Sequence, residues 1–387
     1  MQLRVLTLNA WALPEPLSSD VSGRMRRIGE ALPRLDADVV ALQEIWTQGA
    51  RKQLVDAGHR AGYEHIWHNR AAFGGSGLML LSRLPFARPQ FRRFALGGLP
   101  QRVQHGDYYG GKGFAQVELA TPEGALCLFI THLQARYGDR SGPDEYLGQR
   151  AAQVVEIAAS VSRRPEPSLA LGDFNLREGH PEYRVLLGLT GFRDAAVELD
   201  WRQDTSRISR PWSDPDEPRT ERIDFVFVRA GATSAAAPVR IRRVLDEGFE
   251  EPEQPRLYSD HCGLLADIEI RGAAGRTHRP STETLQLAEQ LLARGAEQAS
   301  QRRNQHRRMA ALGAGTSLAL LGTAGRIVPP RRHLLRAAVL VGAGAVIASS
   351  AAVAALAEIF VPAELVGFER VRALLAELRA REPHPSR

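Results

Sequence analysis

Eight polar side chains of this 387-residue chain stand where short apolar runs begin or end: Asn9, Glu44, His132, Asp173, Asn175, Asp224, Asp260 and His261. Singly, most have an ordinary reading. Glu44 alone is a solvated carboxylate at a strand end, and His132 alone is a hydrogen-bonded structural histidine. Asp173 and Asn175 in "GDFN" form an Asx cap, and Ser259, Asp260 and His261 form a polar turn leading into a strand. Asp224, early in the apolar run "RIDFVFV", needs a partner, because a carboxylate inside a strand is costly without one. Together the eight say more. Carboxylate and amide oxygens are hard ligands suited to Mg²⁺. A histidine held by a carboxylate can take a proton from water near neutral pH. These are the parts for metal-assisted attack of water on a phosphodiester. No Cys/His cluster has zinc spacing.

Such side chains act together only if several strands deliver them to one place. The runs "LRVLTLNAW", "DVVALQEIW", "LCLFITHL", "SLALGDFN", "RIDFVFV" and the stretch from Gly263 to Ile270 are short, apolar and bounded by Gly, Pro and Asp, which are strand signals. Helical patterns lie between some of them. In "RMRRIGEALPRL", Met25, Ile28 and Leu32 make one apolar stripe with the arginines expected outside. "YLGQRAAQVVEIAASV" and "EYRVLLGLTG" read as two further helices, and "GLMLLSRLP" and "GFAQVELATPEG" as further strands. The alternation predicts a layered α/β or α+β domain. Residues 201–222 are rich in Pro, Asp and Arg with no periodicity, and a long loop of that kind is often functional.

The net charge is +6, concentrated in an arginine-rich region beyond residue 300, and Lys52 and Lys112 are the only lysines. The catalytic portion carries no basic stripe with interleaved aromatics, so nucleic acid is not an expected partner. Two cysteines give no disulfide framework and suit a reducing compartment. The strand-like pattern starts at the N-terminus, so no signal peptide is expected and the catalytic part is expected to be cytoplasmic.

Composition changes near residue 272. The expected organisation is a catalytic domain over 1–272, a polar helical linker over 273–308, a membrane-anchoring helical pair over 309–361 and an amphipathic tail over 362–387. The pair rests on two uncharged stretches, 309–325 and 337–357, with lengths suited to a membrane-spanning helix. Their Ala, Gly and Ser residues weaken insertion but favour close helix packing. Arginines at 302–308 and 331–336 are placed to meet anionic headgroups.

The motifs "LTLNAW", "LQEIW", "THLQARY", "GDFN", "RIDFVFV" and "SDHCGL", in this order over roughly residues 1–271, resemble the endonuclease/exonuclease/phosphatase superfamily. Three stretches are similar to its neutral sphingomyelinase branch: "NAWALP" followed by the arginine-rich helix, "HGDYYGGKGFAQVEL" with Lys112, and "FGGSGLMLLSRLP". The inositol-polyphosphate phosphatase branch is disfavoured, because its Trp-Cys-Asp-Arg pattern is replaced here by "TERIDFVFV". The resemblance implies a four-layer α/β/β/α sandwich of two packed sheets with outer helices, followed by a C-terminal helical membrane-associated hairpin. It implies Mg²⁺, with Mn²⁺ as a substitute, held by Glu44, Asn9 and Asp260. His261 is then the general base, oriented by Asp224. Asp173 and Asn175 position water and phosphate, and Asn175 and His132 donate to oxygens that gain charge. Lys112 neutralises or shapes the substrate site, or else only marks a tight turn. The expected activity is hydrolysis of sphingomyelin or a related phospholipid to a lipid alcohol and a phosphorylated headgroup, at a membrane. A nuclease of the same superfamily and a non-catalytic membrane scaffold are the alternatives.

Overall fold

The computed structural model describes residues 1–69, 76–87, 89–137, 144–208, 219–232, 234–247, 258–272, 278–326 and 332–380. Residues 209–218 of the 201–222 loop, the start of "FGGSG", the Pro-Pro segment and the last seven residues of the tail lie outside them. In chain order the strands are β1 (Gln2–Ala12), β2 (Val39–Ile45), β3 (His65–His68), β4 (Met79–Ser82), β5 (Gln90–Arg93), β6 (Gly113–Thr121), β7 (Gly124–His132), β8 (Ser168–Asp173), β9 (Arg193–Asp194), β10 (Ser206–Ile208), β11 (Arg219–Glu221), β12 (Asp224–Arg229), β13 (Ser234–Val244) and β14 (Gly263–Gly272). The helices are α1 (Val21–Leu35), α2 (Gln48–Arg60), α3 (Asp107–Gly110), α4 (Leu147–Val161), α5 (Pro181–Thr190), α6 (Ala195–Glu198), α7 (Thr282–Arg326), α8 (His333–Ala355) and α9 (Val361–Ala380).

Two six-stranded sheets form, in the orders β13-β14-β1-β2-β4-β3 and β5-β6-β7-β8-β12-β9. Side-chain alternation along the strands builds the layers. On β1, Leu3 and Val5 face the other sheet and pack with Val117, Leu128, Leu171 and Val226. Leu6 and Leu8 point the other way, onto Met25, Ile28 and Leu32 of α1 and Leu54 of α2. On the far side Phe129, Ala170, Phe225 and Phe227 meet α4 and α5, and also Leu291, Leu292, Phe368 and Val371 of α7 and α9. The result is α/β/β/α, as the resemblance implied. Strands buried on both faces read as continuous apolar runs, which is why "LCLFI" and "FVFV" do not alternate.

The segment expected as a linker is part of that outer layer. One helix, α7, runs from Thr282 through to Arg326, and Leu285, Ala288, Leu292 and Ala299 of its first half are buried in the core. Its polar residues fill the remaining faces, so composition alone gave the appearance of a solvated helix. The second half of α7 packs along α8, with Gly313 against Ser350 and Ser317 Oγ near Ala343 O. Between α8 and α9 lies a π-turn, Leu356–Phe360. It precedes Pro362, which has no N–H to continue the helical ladder. The helix His333–Ala380 contains a stretch long and apolar enough to cross a membrane, and 6% of that stretch is buried. The stretch 309–325 is helical, but among the described residues no second helix meets that criterion.

Candidate active site

The strand registers bring the polar residues to one end of the sandwich. β1 and β2 are parallel with Asn9 opposite Gln43, which puts Asn9 and Glu44 at neighbouring C-terminal ends. β7 and β8 are parallel with His132 opposite Asp173, and antiparallel β12 starts with Asp224 opposite Asp173. β14 runs antiparallel to β1, so Asp260 and His261 at its entrance reach the same end. Gly172 permits this register. It has φ 152°, and a Cβ there would lie 2.0 Å from Thr131 O. Glu44 (φ 60°) and Asn175 (φ 48°) both leave their strands in left-handed backbone conformations. A non-glycine residue adopts that region at a cost that its surroundings must outweigh, and such residues cluster at functional sites.

His261 Nδ1 lies 2.8 Å from Asp224 Oδ2, and both residues are buried. Burial works to lower the pKa of the ring, but Asp224, with Asp260 and Asp173 beyond it, carries it up to about 10. Nε2 of the same ring is 3.9 Å from Asp173 Oδ2. Asn9 Nδ2 donates to Glu44 Oε1 and to Asp173 Oδ2, each at 3.0 Å. Burial, followed by the charge of Asp260, raises the Glu44 carboxyl. Burial and then Asp224 push Asp173 up to about 7. Asp173 Oδ1 accepts from the backbone N–H of Asn175 at 3.0 Å, and Asn175 Nδ2 donates to Leu133 O at 3.1 Å. Asp260 Oδ1 accepts from Ser259 Oγ at 3.3 Å, while the same hydroxyl holds Asn9 O at 2.6 Å.

Lys112 is buried, and its Nζ meets Asp107 Oδ1 at 2.6 Å, Leu133 O at 2.8 Å and His132 Nε2 at 2.9 Å. An ammonium has three donors, and all three are engaged. His132 Nε2 is therefore an acceptor, which assigns the ring proton to Nδ1. Burial, Lys112 and His261 keep this ring's pKa well below the usual histidine value. His132 Nε2 also lies 3.4 Å from Asp173 Oδ2. Lys112 thus sits behind His132 and is not exposed at the site.

Several members of the site were not legible as motifs. Thr205 Oγ1 donates to Asp224 Oδ2 at 2.7 Å and accepts from the N–H groups of Ile223 and Asp224. It belongs to the 201–222 loop, whose composition carried no pattern. Asp107 Oδ2 accepts from Gln134 Nε2 at 2.6 Å and Tyr137 Oη at 2.9 Å, so "THLQARY" supplies the support for Lys112 as well as His132. Arg24 corrects the expectation that the α1 arginines face outward. It is 2% exposed, and its guanidinium donates to Ser19 O, Ala10 O, Trp11 O and Tyr258 O. Ala10 and Trp11 end β1 and Tyr258 lies two residues before Asp260, so one buried side chain ties the two strand ends to the turn at Ser19 that precedes α1.

The residues fit a divalent cation. Asp173, Asp224 and His261 offer ligand atoms within 4.8 Å of one another. Glu44 Oε2 and Asp224 Oδ1 are buried without a hydrogen-bond partner, in a cluster where carboxylates converge. Buried carboxylate oxygens left unpaired in such a cluster are a cation's donor set. His261 Nδ1 is already committed to Asp224, which leaves the oxygens as the hard donors.

Residues 6–261 match the model of the endonuclease/exonuclease/phosphatase family. The chain belongs to this family. Among curated relatives, sphingomyelin phosphodiesterase 2 of Homo sapiens is 32% identical over 73% of this chain and 68% of its own length. The inositol phosphosphingolipids phospholipase C of Schizosaccharomyces pombe is 28% identical over 70% of this chain and 69% of its own. The chain spans 63% of the length of a putative neutral sphingomyelinase of Drosophila melanogaster and 47% of that of the sphingomyelin phosphodiesterase 2 of Rattus norvegicus. Among solved structures, TDP2 of D. rerio complexed with a single-strand DNA product shares the fold, with a TM-score of 0.52 and 17% identity over 69% of this chain and 99% of that one.

Proposed function

We propose that this family member is a divalent-metal-dependent phosphodiesterase of phospholipase C type, hydrolysing a sphingomyelin-like lipid to ceramide or a related alcohol and a phosphorylated headgroup. The single observation that carries the chemistry is the His261–Asp224 pair facing Asp173 beside the unpartnered oxygen of Glu44. The lipid substrate rests on the names of the sequence relatives and on the apolar C-terminal helix.

Glu44, supported by Asn9 and Asp260, would hold Mg²⁺, with Mn²⁺ as a substitute. When bound, the ion polarises the phosphate and offsets the charge that grows in the transition state. The protein's own groups do the rest. Asp224 accepts from Nδ1–H of His261 and orients the ring. The charge of a cation held beside Asp173 and Asp224 would favour the neutral ring over the imidazolium that these carboxylates stabilise in the metal-free site, leaving Nε2 to take the proton of the attacking water. Thr205 fixes the Asp224 carboxylate. Asp173 orients that water, and its Oδ1 fixes the backbone of Asn175, whose amide, anchored on Leu133 O, would offer its second N–H to the phosphate. Lys112 acts through His132, supplying positive charge behind the site where phosphate oxygens gain negative charge. Membrane attachment through α8, with the catalytic domain on the cytoplasmic side, confines the search for substrate to the bilayer plane.

The test is headgroup release by the purified full-length protein from sphingomyelin, an inositol phosphosphingolipid and phosphatidylcholine, with plasmid DNA alongside, in Mg²⁺ and in EDTA. Mg²⁺-dependent release from a sphingolipid, lost in His261→Ala, supports the proposal. Nicked plasmid with intact lipids overturns it in favour of a nuclease.

A further inference from the structure

The helices that cover the second sheet dock tightly. A Cβ at Gly295 would meet the Phe368 ring at 2.5 Å, one at Gly148 would meet the Gly295 Cα at 2.5 Å, and one at Gly367 would meet Leu96 at 2.7 Å. Beside this seam lies a cavity of about 280 Å³, between residues 93–101, Tyr108, Arg302 and the π-turn that ends α8. Phe94, Leu96, Leu99, Leu356, Phe360 and Val361 supply apolar wall. Arg93, Gln101, Tyr108, Arg302 and Glu364 share its lining, with Arg302 and Glu364 paired to each other.

The cavity is built rather than incidental. Its catalytic-side wall hangs from one face of α4 by three side chains. Glu156 accepts from Ala95 N–H at 3.0 Å, Gln153 Nε2 donates to Leu96 O at 2.7 Å, and Gln149 Oε1 accepts from Gly98 N–H at 3.2 Å. The opposite wall is tied to the same helix, because Glu364 Oε1 accepts from Gln149 Nε2 at 2.8 Å and from Arg302 Nη2 at 2.6 Å. Phe360 meets Tyr108 edge-to-face at 6.2 Å. Both walls are thus held apart by fixed groups.

We propose that this cavity holds the hydrocarbon chain of a membrane phospholipid. The occupant follows from continuity of surface. Leu340, Val341 and Ile347 of α8, followed by Ile359 and Phe360, are exposed apolar residues leading along one helix to the cavity. Leu356 and Phe360, at the end of α8, form part of the cavity wall, so a chain lying along α8 ends beside it, and its burial against the 94–101 wall gains the ordinary hydrophobic free energy. Occupation fixes the height and tilt of the catalytic domain over the bilayer. The inference rests on the membrane reading of α8 and not on the identity of the headgroup hydrolysed.

The experiment uses full-length protein in nanodiscs of phosphatidylcholine carrying a diazirine in its acyl chain, with adducts mapped by mass spectrometry after illumination. Adducts are expected on residues 94–101 and 356–361 as well as on α8. Ala363 is exposed and lines the cavity, so Ala363→Trp fills it without touching the core. That variant, and Leu99→Trp independently, should lower the 94–101 adducts at least fivefold and leave those on α8 unchanged. Adducts on α8 with none on 94–101, or 94–101 adducts indifferent to both tryptophans, overturn the cavity assignment alone. Absence of adducts from both regions overturns the membrane reading along with it.

Discussion

The Asp224 carboxylate has two jobs on one oxygen, since Oδ2 accepts from both His261 Nδ1 and Thr205 Oγ1. Removing the hydroxyl loosens the pair without removing either member. Thr205→Val should lower kcat about tenfold, the equivalent of one hydrogen bond of roughly 1.4 kcal/mol, with KM unchanged and recovery in Thr205→Ser. Steady-state kinetics on the lipid substrate checks this. Asp224 also accounts for much of the upward shift of His261 to about 10. In the metal-free protein, Asp224→Asn should bring the imidazole pKa down, read from the His261 ring shifts by NMR. An unmoved titration would show that the pair does not couple. A third residue tests the same physics away from the site. Glu156 is pushed up to about 7, chiefly by burial, from an ordinary value of about 4.5. Between those two pH values the unfolded chain has released the proton and the folded chain still holds it. The unfolded state then binds fewer protons, so stability falls as pH rises through this window. The side chain is only partly sheltered, which limits the effect to about 1 kcal/mol. Glu156→Gln should flatten this part of the curve of Tm against pH and still accept from Ala95 N–H.

At the scale of elements, the site depends on strand ends meeting in register, and Gly172 shows how narrowly that is set. A Cβ there would lie 2.0 Å from Thr131 O, so Gly172→Ala must push β8 from β7. Loss of local pairing plus strain should cost at least about 2 kcal/mol, measured by urea denaturation, and activity should fall further because His132 and Asp173 are register partners. The strands and their terminal polar groups were legible in the sequence, because a carboxylate, amide or imidazole that closes a buried apolar run must find its partner at the strand end. Arg24 was not. Its burial is set by four carbonyls from separate parts of the chain, and no local period signals that. Thr205 was hidden for a similar reason, since it acts from an irregular loop through tertiary contact alone. The first half of α7 misled through composition, because a stripe as thin as Leu285, Ala288, Leu292 and Ala299 is enough to bury a helix whose other faces are polar.

On the scale of the whole molecule, the C-terminal helices serve two solvents. The first half of α7 and most of α9 complete the α/β/β/α sandwich, with Phe368 and Val371 in its core. The second half of α7 and α8 project as an antiparallel pair whose apolar residues, Leu312, Leu318, Leu334 and Val341 among them, are exposed. The border between the two regimes is marked by charge. Arg303 and Arg307 both pair with Glu358, and Arg302 with Glu364. These arginines, expected to face headgroups, are therefore engaged in closing the base of the pair. The same contacts bring the chain at residue 307 beside the chain at 358, so the intervening pair can be cut out and the ends joined by a few Gly and Ser residues at small entropic cost. A protein lacking 309–357 in this way should keep its sandwich, stay monodisperse without detergent and cleave a soluble chromogenic phosphodiester as the full chain does. Against sphingomyelin in vesicles it should lose at least tenfold in kcat/KM, because the two-dimensional search is gone. Equal activity on vesicles would mean that the apolar pair does not deliver the catalytic domain to lipid. Aggregation of the excised protein would mean that the pair is needed to close the sandwich.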